Sequence, residues 1–222
     1  CLITGSTGFI GKHLSEMLSE KGFQVFPLPQ ELLYIRDQLK KFIKEISPEY
    51  IFHLAAYGNK YHQEDEQEMF NSNILLLWRL LQATKDMNYK AFINFSSSST
   101  LLDYETFYSA TKGAGERIVK AFVNKYKKPI VTIRPASVIG INEQWEHLIP
   151  TLIRSCLEGK EMPFVSEPTH DFIDVRDLVD AVILLAVKAQ EQKGKIFNIS
   201  NNKTYTNEEV KNLIEKYTHK KA

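Results

Sequence analysis

Short β-type runs alternate with helical periodicity from one end of the chain to the other. Strand-like segments fall at 1–4, 24–28, 50–54, 91–95, 130–133 and 195–199. Between them, apolar positions recur at the spacing of an amphipathic helix over about 10–21, 37–46, 66–86, 108–126, 145–157 and 175–189. Strands that alternate with helices this way predict a parallel sheet covered by helices on both faces. Such a sheet binds ligands beyond the carboxyl ends of its strands. A last helix is announced by Thr206 and Glu209, a capping box ahead of Val210, Leu213 and Ile214. One helix stands out: Ile74, Leu75, Leu76, Leu77, Trp78, Leu80 and Leu81 leave it apolar nearly all round. That predicts burial on two sides, one against the sheet and one against a second subunit.

Composition narrows the function. The 222 residues carry 28 Lys and Arg against 27 Asp and Glu, a net charge of +1. A balance this close to zero gives no electrostatic footprint for nucleic acid or an anionic membrane. No apolar run reaches the roughly 18 residues of a spanning helix. Cys1 and Cys156 are too few for a disulfide scaffold and suit a reducing compartment. The expected location is the cytoplasm. His62 with Glu64, Asp65, Glu66 and Glu68 lacks a defined ligand spacing and reads as a solvated loop, so no metal site is expected.

The first candidate chemistry lies at the start. Gly5, Gly8 and Gly11 recur every third residue, after a strand and before an amphipathic helix. A tight turn alone would explain one glycine. The triplet in a strand–loop–helix unit points instead to a dinucleotide, whose pyrophosphate needs close backbone approach and the free N–H groups of a helix start. The usual acidic partner at the end of the second strand is missing from 24–30, which argues against a strict NAD preference. Arg36 lies shortly downstream, so the cofactor is NAD or NADP, with a lean to NADP.

The second candidate is Tyr108 with Lys112, a phenol and an ammonium at i and i+4 on one helix face, preceded by the hydroxyl run Ser96 to Thr100. A free tyrosine has a pKa of about 10. A nearby cation lowers it, so Lys112 and a nicotinamide ring are expected to bring Tyr108 into working range, while a serine orients the substrate oxygen.

Together these residues resemble the extended short-chain dehydrogenase/reductases, the NAD-dependent epimerase/dehydratase family. Thr4 to Gly11 are similar to its TGxxGxxG loop, His53-Leu54-Ala55-Ala56 to its HLAA strand end, and Tyr108 and Lys112 to its YxxxK pair. Arg134-Pro135 through Gly140 resemble its RPxxVxG strand end, and His170 to Val175 its RDFIxV segment. The resemblance implies an α/β fold, a Rossmann doubly wound parallel sheet at 1–135, with 136–222 supplying the remaining strands and a small, incomplete C-terminal substrate lobe. It implies cofactor contacts from Gly5, Thr7, Gly8, Phe9, Ile10, Gly11, Asp37, Leu54, Ala55, Ala56, Asn73, Tyr108, Lys112, Pro135 and Val138. Ser98 is the implied catalytic hydroxyl, with Ser97 its nearest rival, and Tyr108 and Lys112 complete the catalytic set. By the same pattern the first strand is expected to be clipped, as it would be in a piece of a longer sequence.

The family acts mostly on nucleotide-activated sugars, moving a hydride at a sugar carbon while the tyrosine moves the hydroxyl proton. Homodimers through helices 66–86 and 108–126 are implied, and the small residues Ala110, Gly113 and Ala114 fit them. Several departures bear on the substrate. His170 and Ser137 replace a common Arg and Asn, and only nine residues separate Ser98 from Tyr108. Ser99-Thr100 stand where 4,6-dehydratases carry Asp-Glu, which disfavours dehydration. Tyr57 to Lys60 resemble sugar 4-ketoreductases. The expected activity is a 4-ketoreductase or 4-epimerase; the alternative is a non-catalytic dinucleotide-binding or redox-sensing protein on the same fold.

Overall fold

The computed structural model describes residues 1–32, 35–60 and 62–221. Six parallel strands form the main sheet: β1 (Leu2–Thr4), β2 (Phe26–Pro27), β3 (Tyr50–His53), β4 (Ala91–Phe95), β5 (Ile130–Pro135) and β8 (Ile196–Ile199). They lie in the order β2-β1-β3-β4-β5-β8. Because side chains alternate along a strand, neighbouring residues serve opposite faces. Leu2, Ile51, Phe92 and Ile130 join one core with helices α2 (Arg36–Ile46), α4 (Leu76–Thr84) and α5 (Phe107–Tyr126). Ile3, Phe52, Ile93 and Val131 join the other, with α1 (Phe9–Glu20), α7 (Val175–Val187) and Ala189 at the start of the short α8 (Ala189–Gln192). These central strands are buried almost completely, as a doubly covered parallel sheet requires.

Three strands escape the periodicity. β6 (Ser137–Ile139), β7 (Thr169–Asp174) and β9 (Thr204–Thr206) form a second sheet, β6 parallel to β7 and β9 antiparallel to it. Their residues are mostly half-buried and two of the three are three residues long, too short for a recognisable alternation. Helices α6 (Leu148–Glu158) and α9 (Asn207–Thr218) pack together beside this sheet. The Thr206–Glu209 capping box forms as expected, the hydroxyl accepting from the Glu209 amide at 3.1 Å and the carboxylate accepting from the Thr206 amide at 2.8 Å.

The helix expected over 66–86 is interrupted. It runs as α3 (Glu66–Phe70), a π-helical turn over Asn71–Leu75, then α4. Within the single chain one side of it is buried, through Leu76, Leu77, Leu80 and Leu81, while Phe70 and Trp78 are each 47% exposed. No described helix is long and apolar enough to cross a membrane.

Candidate active site

Strand order reverses between β1 and β3, and the loops that leave these two strands meet at the carboxyl edge of the sheet. Gly5 turns there with φ +71°, and a Cβ on it would lie 2.8 Å from the Ala55 amide nitrogen. A Cβ on Gly11 would lie 2.1 Å from the Gly5 carbonyl oxygen. Both positions therefore demand glycine, one for backbone conformation and one for helix-to-loop approach. Gly8 is the N-cap of α1; it has no side-chain cap, and the first turn holds no acidic residue. The first N–H groups of α1 are thus left for a ligand, and they carry the positive end of the helix dipole.

Thr7 and Gly8 are exposed at this opening, and Ile10 is half-buried. The Phe9 ring lies in the core and meets His13 edge-on at 5.6 Å, which leaves the Phe9 backbone for the expected cofactor contact. Asp37 is exposed in the first turn of α2, next to Arg36. Leu54 and Ala55 are tied to β1 through amide bonds to the Thr4 carbonyl (3.2 Å) and hydroxyl (3.0 Å), and Ala56 is exposed beyond them. The same Thr4 hydroxyl bonds His53 Nδ1 at 2.8 Å. Burial pushes His53 down to about 3, with the Lys112 ammonium adding to the effect, so the imidazole is neutral and structural.

Asn73 sits in the π turn, 3% exposed. Its Oδ1 accepts from the Tyr57 amide at 3.0 Å, and its Nδ2 donates to the Tyr57 carbonyl at 2.9 Å and to Thr111 Oγ1 at 3.0 Å. Both amide hydrogens are consumed within the protein. Asn73 therefore holds the loop after β3 against the helix that carries Tyr108 and Lys112, and a side-chain contact to a cofactor would fall to Oδ1 as acceptor.

Helix α5 starts with a second capping box, in which Thr106 Oγ1 accepts from the Ser109 amide at 3.1 Å and Ser109 Oγ accepts from the Thr106 amide at 2.8 Å. This fixes Tyr108 in the first turn. Of the two serines the resemblance offers, Ser98 and its rival Ser97, the one that acts on the Tyr108 phenol in the free chain is Ser97. Ser98 opens a 3-10 turn over Ser98–Leu101, whereas Ser97 caps that turn and accepts from the Ser99 amide at 3.1 Å and the Ser99 hydroxyl at 2.9 Å. With its lone pairs engaged, Ser97 has its own proton to give to Tyr108.

Burial raises the Tyr108 phenol, and the Ser97 hydrogen bond opposes that rise. In the chain without a cofactor, the group that counters burial at Tyr108 is Ser97. Lys112 is 7% exposed, and burial pulls it down to about 8, with Glu116 holding it up. Its ammonium makes no hydrogen bond to another described residue, which leaves its donors for a ligand.

Sequence reasoning missed Glu116. Its carboxylate takes Arg134 Nε at 2.7 Å, Arg134 Nη2 at 2.5 Å and Ser96 Oγ at 2.5 Å. The available signal was its place one helical turn after Lys112 on the same face. Pro135 is buried at the end of β5, and Val138 is half-buried in β6. Ser137 Oγ and His170 Nδ1 are hydrogen-bonded at 3.2 Å, so the two departures in the substrate region form one unit. Burial lowers His170, leaving it uncharged near neutrality.

A model of the NAD dependent epimerase/dehydratase family matches residues 1–200. The chain belongs to this family. It is 23% identical to UDP-glucuronate 4-epimerase 4 of Arabidopsis thaliana, matching all of this chain and 64% of that protein. It is 27% identical to the uncharacterized UDP-glucose epimerase YtcB of Bacillus subtilis (strain 168), across all of this chain and 83% of that one. The chain thus spans just under two thirds of the Arabidopsis relative's length. That alignment runs to 279 positions, more than this chain's 222 residues, so the relative carries internal segments absent here. Among solved structures, MoeE5 in complex with UDP-glucose and NAD superposes with a TM-score of 0.87 at 25% identity, covering 99% of this chain and 82% of that one. Several solved neighbours contain NAD, and none lends support to the NADP preference expected from the second strand.

Proposed function

We propose that the protein is a NAD-dependent enzyme acting on a nucleotide-activated sugar, as a 4-epimerase or 4-ketoreductase. The observation that carries this reading is the constellation Ser97, Tyr108 and Lys112 at the carboxyl edge of a sheet whose first loop is built for a pyrophosphate. The two halves are physically linked. Gly5 packs on Ala55, Tyr57 follows it, and Asn73 clamps Tyr57 to Thr111, between Tyr108 and Lys112.

The residues fit a dinucleotide: a glycine cradle that a Cβ would fill, uncapped N–H groups at α1, and a buried ammonium with unspent donors. Gly5, Gly8 and Gly11 with the start of α1 would hold the pyrophosphate, Ala55 and Ala56 would line the same loop, and Lys112 would hold a ribose hydroxyl. Bound there, the nicotinamide supplies the acceptor or donor of a hydride. Tyr108 Oη takes or returns the proton of the sugar hydroxyl, and the one proton of Ser97 turns from the phenol to the substrate oxygen when the sugar is bound. Uncharged His170 with Ser137 offers the sugar nucleotide hydrogen bonds without a fixed positive charge. Phe70 and Trp78, exposed on the face of α3 and α4, suit a homodimer through these helices and α5.

The test is a screen of the purified chain against UDP-, dTDP-, GDP- and CDP-sugars with NAD and NADP. Turnover with NAD that falls 10²-fold or more in Tyr108→Phe, while NAD still binds, is the expected result. Unaltered turnover in Tyr108→Phe overturns the reading. Net reduction of a keto sugar by NADH identifies a ketoreductase, and interconversion of 4-epimers without net NADH identifies an epimerase.

A further inference from the structure

We propose that Glu116 is a positioning residue of this site: clamped by Arg134, it ties the exit of β4 and the Ser97 turn to α5 and keeps a carboxylate one helical turn from Lys112 on the same face. The geometry converges from four elements. Ser96, at the end of β4, donates to Glu116 Oε1 at 2.5 Å, and Arg134, on β5, holds both carboxylate oxygens through Nε and Nη2. Thr100, in the 3-10 turn capped by Ser97, reaches Oε1 at 3.5 Å. Glu116 itself belongs to α5, one turn beyond Lys112, and is 7% exposed.

A carboxylate this buried is tolerated only when paired and hydrogen-bonded, and the bidentate guanidinium does both. The pair leaves a structural account incomplete, because a neutral side chain could join the same elements. What the carboxylate adds is charge beside a buried cation. Among the described residues, the titratable groups that act on Lys112 are Glu116, on its own helix, and His53, on β3. His53 is neutral, so Glu116 is the group that opposes burial. Tyr108, one turn before Lys112, is protonated at neutral pH, and Arg134, on β5, is not among the charges that act on Lys112.

The inference rests on Lys112 being the ammonium that meets the cofactor, but it can be read in the free chain, without cofactor or substrate. Lysines labelled with ¹³C at Cε report their titration by NMR, with Lys112 assigned by loss of its signal in Lys112→Arg. In the unaltered chain Lys112 is expected to titrate near 8. In Glu116→Gln its midpoint should move down by about one pH unit, the low end of the effect of a close opposite charge. Glu116→Gln leaves Arg134 buried without a partner and can misfold. Glu116→Gln/Arg134→Gln replaces the ion pair by two amides that can bond each other, and should fold while keeping the lowered midpoint. An unmoved Lys112 midpoint in the folded double variant overturns the proposal and leaves the pair a structural tie. Failure of the sugar-nucleotide reading would instead show as absent turnover in the unaltered chain, with this titration unaffected.

Discussion

Ser99 donates to Ser97 twice, from its amide at 3.1 Å and its hydroxyl at 2.9 Å, which leaves Ser97 its own proton to oppose the rise of the buried Tyr108 phenol. The turn that follows β4 thus sets the direction of the one proton Ser97 has to give. Under the proposed function Ser97, rather than Ser98, is the hydroxyl that meets the substrate oxygen. Ser97→Ala should lower turnover by about 10²-fold, and Ser98→Ala by much less. Steady-state kinetics on the two variants decide between them; a larger loss in Ser98→Ala would return the role to the residue expected from the motif.

His53 makes stability depend on pH. Its folded pKa is lowered to about 3 from an ordinary value near 6.5, so in this window the unfolded chain binds a proton that the folded chain does not. Stability is therefore undiminished above pH 6.5 and falls as pH drops from about 6.5 towards 3, at about 1.4 kcal/mol per pH unit. Urea unfolding at pH 7.0 and 5.5 measures the slope. His53→Gln, which keeps a partner for Thr4, should flatten it.

Asn73 joins the loop after β3 to α5 through three hydrogen bonds to buried or half-buried groups. Asn73→Ala leaves the Tyr57 amide and carbonyl and the Thr111 hydroxyl without that partner. The expected cost is about 2 to 4 kcal/mol in chemical denaturation, since each stranded group costs about 1 kcal/mol or more. Turnover should fall as well, because Tyr108 and Lys112 flank Thr111.

Gly11 leaves no room for a side chain, its Cβ position lying 2.1 Å from the Gly5 carbonyl. Gly11→Ala must push α1 from the loop. A loss of about 1 to 3 kcal/mol in stability is expected, with NAD no longer raising the melting temperature. Gly22→Ala tests the local nature of this effect: a Cβ there meets nothing within 4 Å, so the cost is that of its φ of +83° alone, and NAD should still stabilise the chain.

The half-exposed Trp78 and Phe70 lie on the helical face proposed to pair with a second subunit. Trp78→Glu should shift the chain from dimer to monomer in analytical ultracentrifugation, because a charge cannot be buried unpaired at a symmetric interface. An unchanged sedimentation coefficient would place any dimer contact elsewhere.

The sequence by itself determined the main sheet, most of its helices and the family. Strands such as Ala91–Phe95, buried on both faces, and helices with one apolar stripe impose their period on the residues, so their positions can be read in order along the chain. Gly5 and Gly11 were legible because only glycine satisfies their backbone contacts, and Tyr108 and Lys112 because helix geometry fixes i and i+4 on one face.

Tertiary structure alone decided the rest. The three-stranded sheet depends on pairings between Ser137–Ile139, Thr169–Asp174 and Thr204–Thr206, whose short, half-buried runs carry no period of their own. The choice between Ser97 and Ser98 turns on the direction of their hydroxyls, which in a run of serines follows from the turn they enter. Asn73 turned inward because a π turn aims it at Tyr57 and Thr111. Glu116 gained its importance only when β4, β5 and α5 came together, since residues at 96, 116 and 134 have no local signal that joins them. Local periodicity records what each segment needs for itself, whereas charges and hydrogen bonds across the fold exist only once distant segments have been packed against each other.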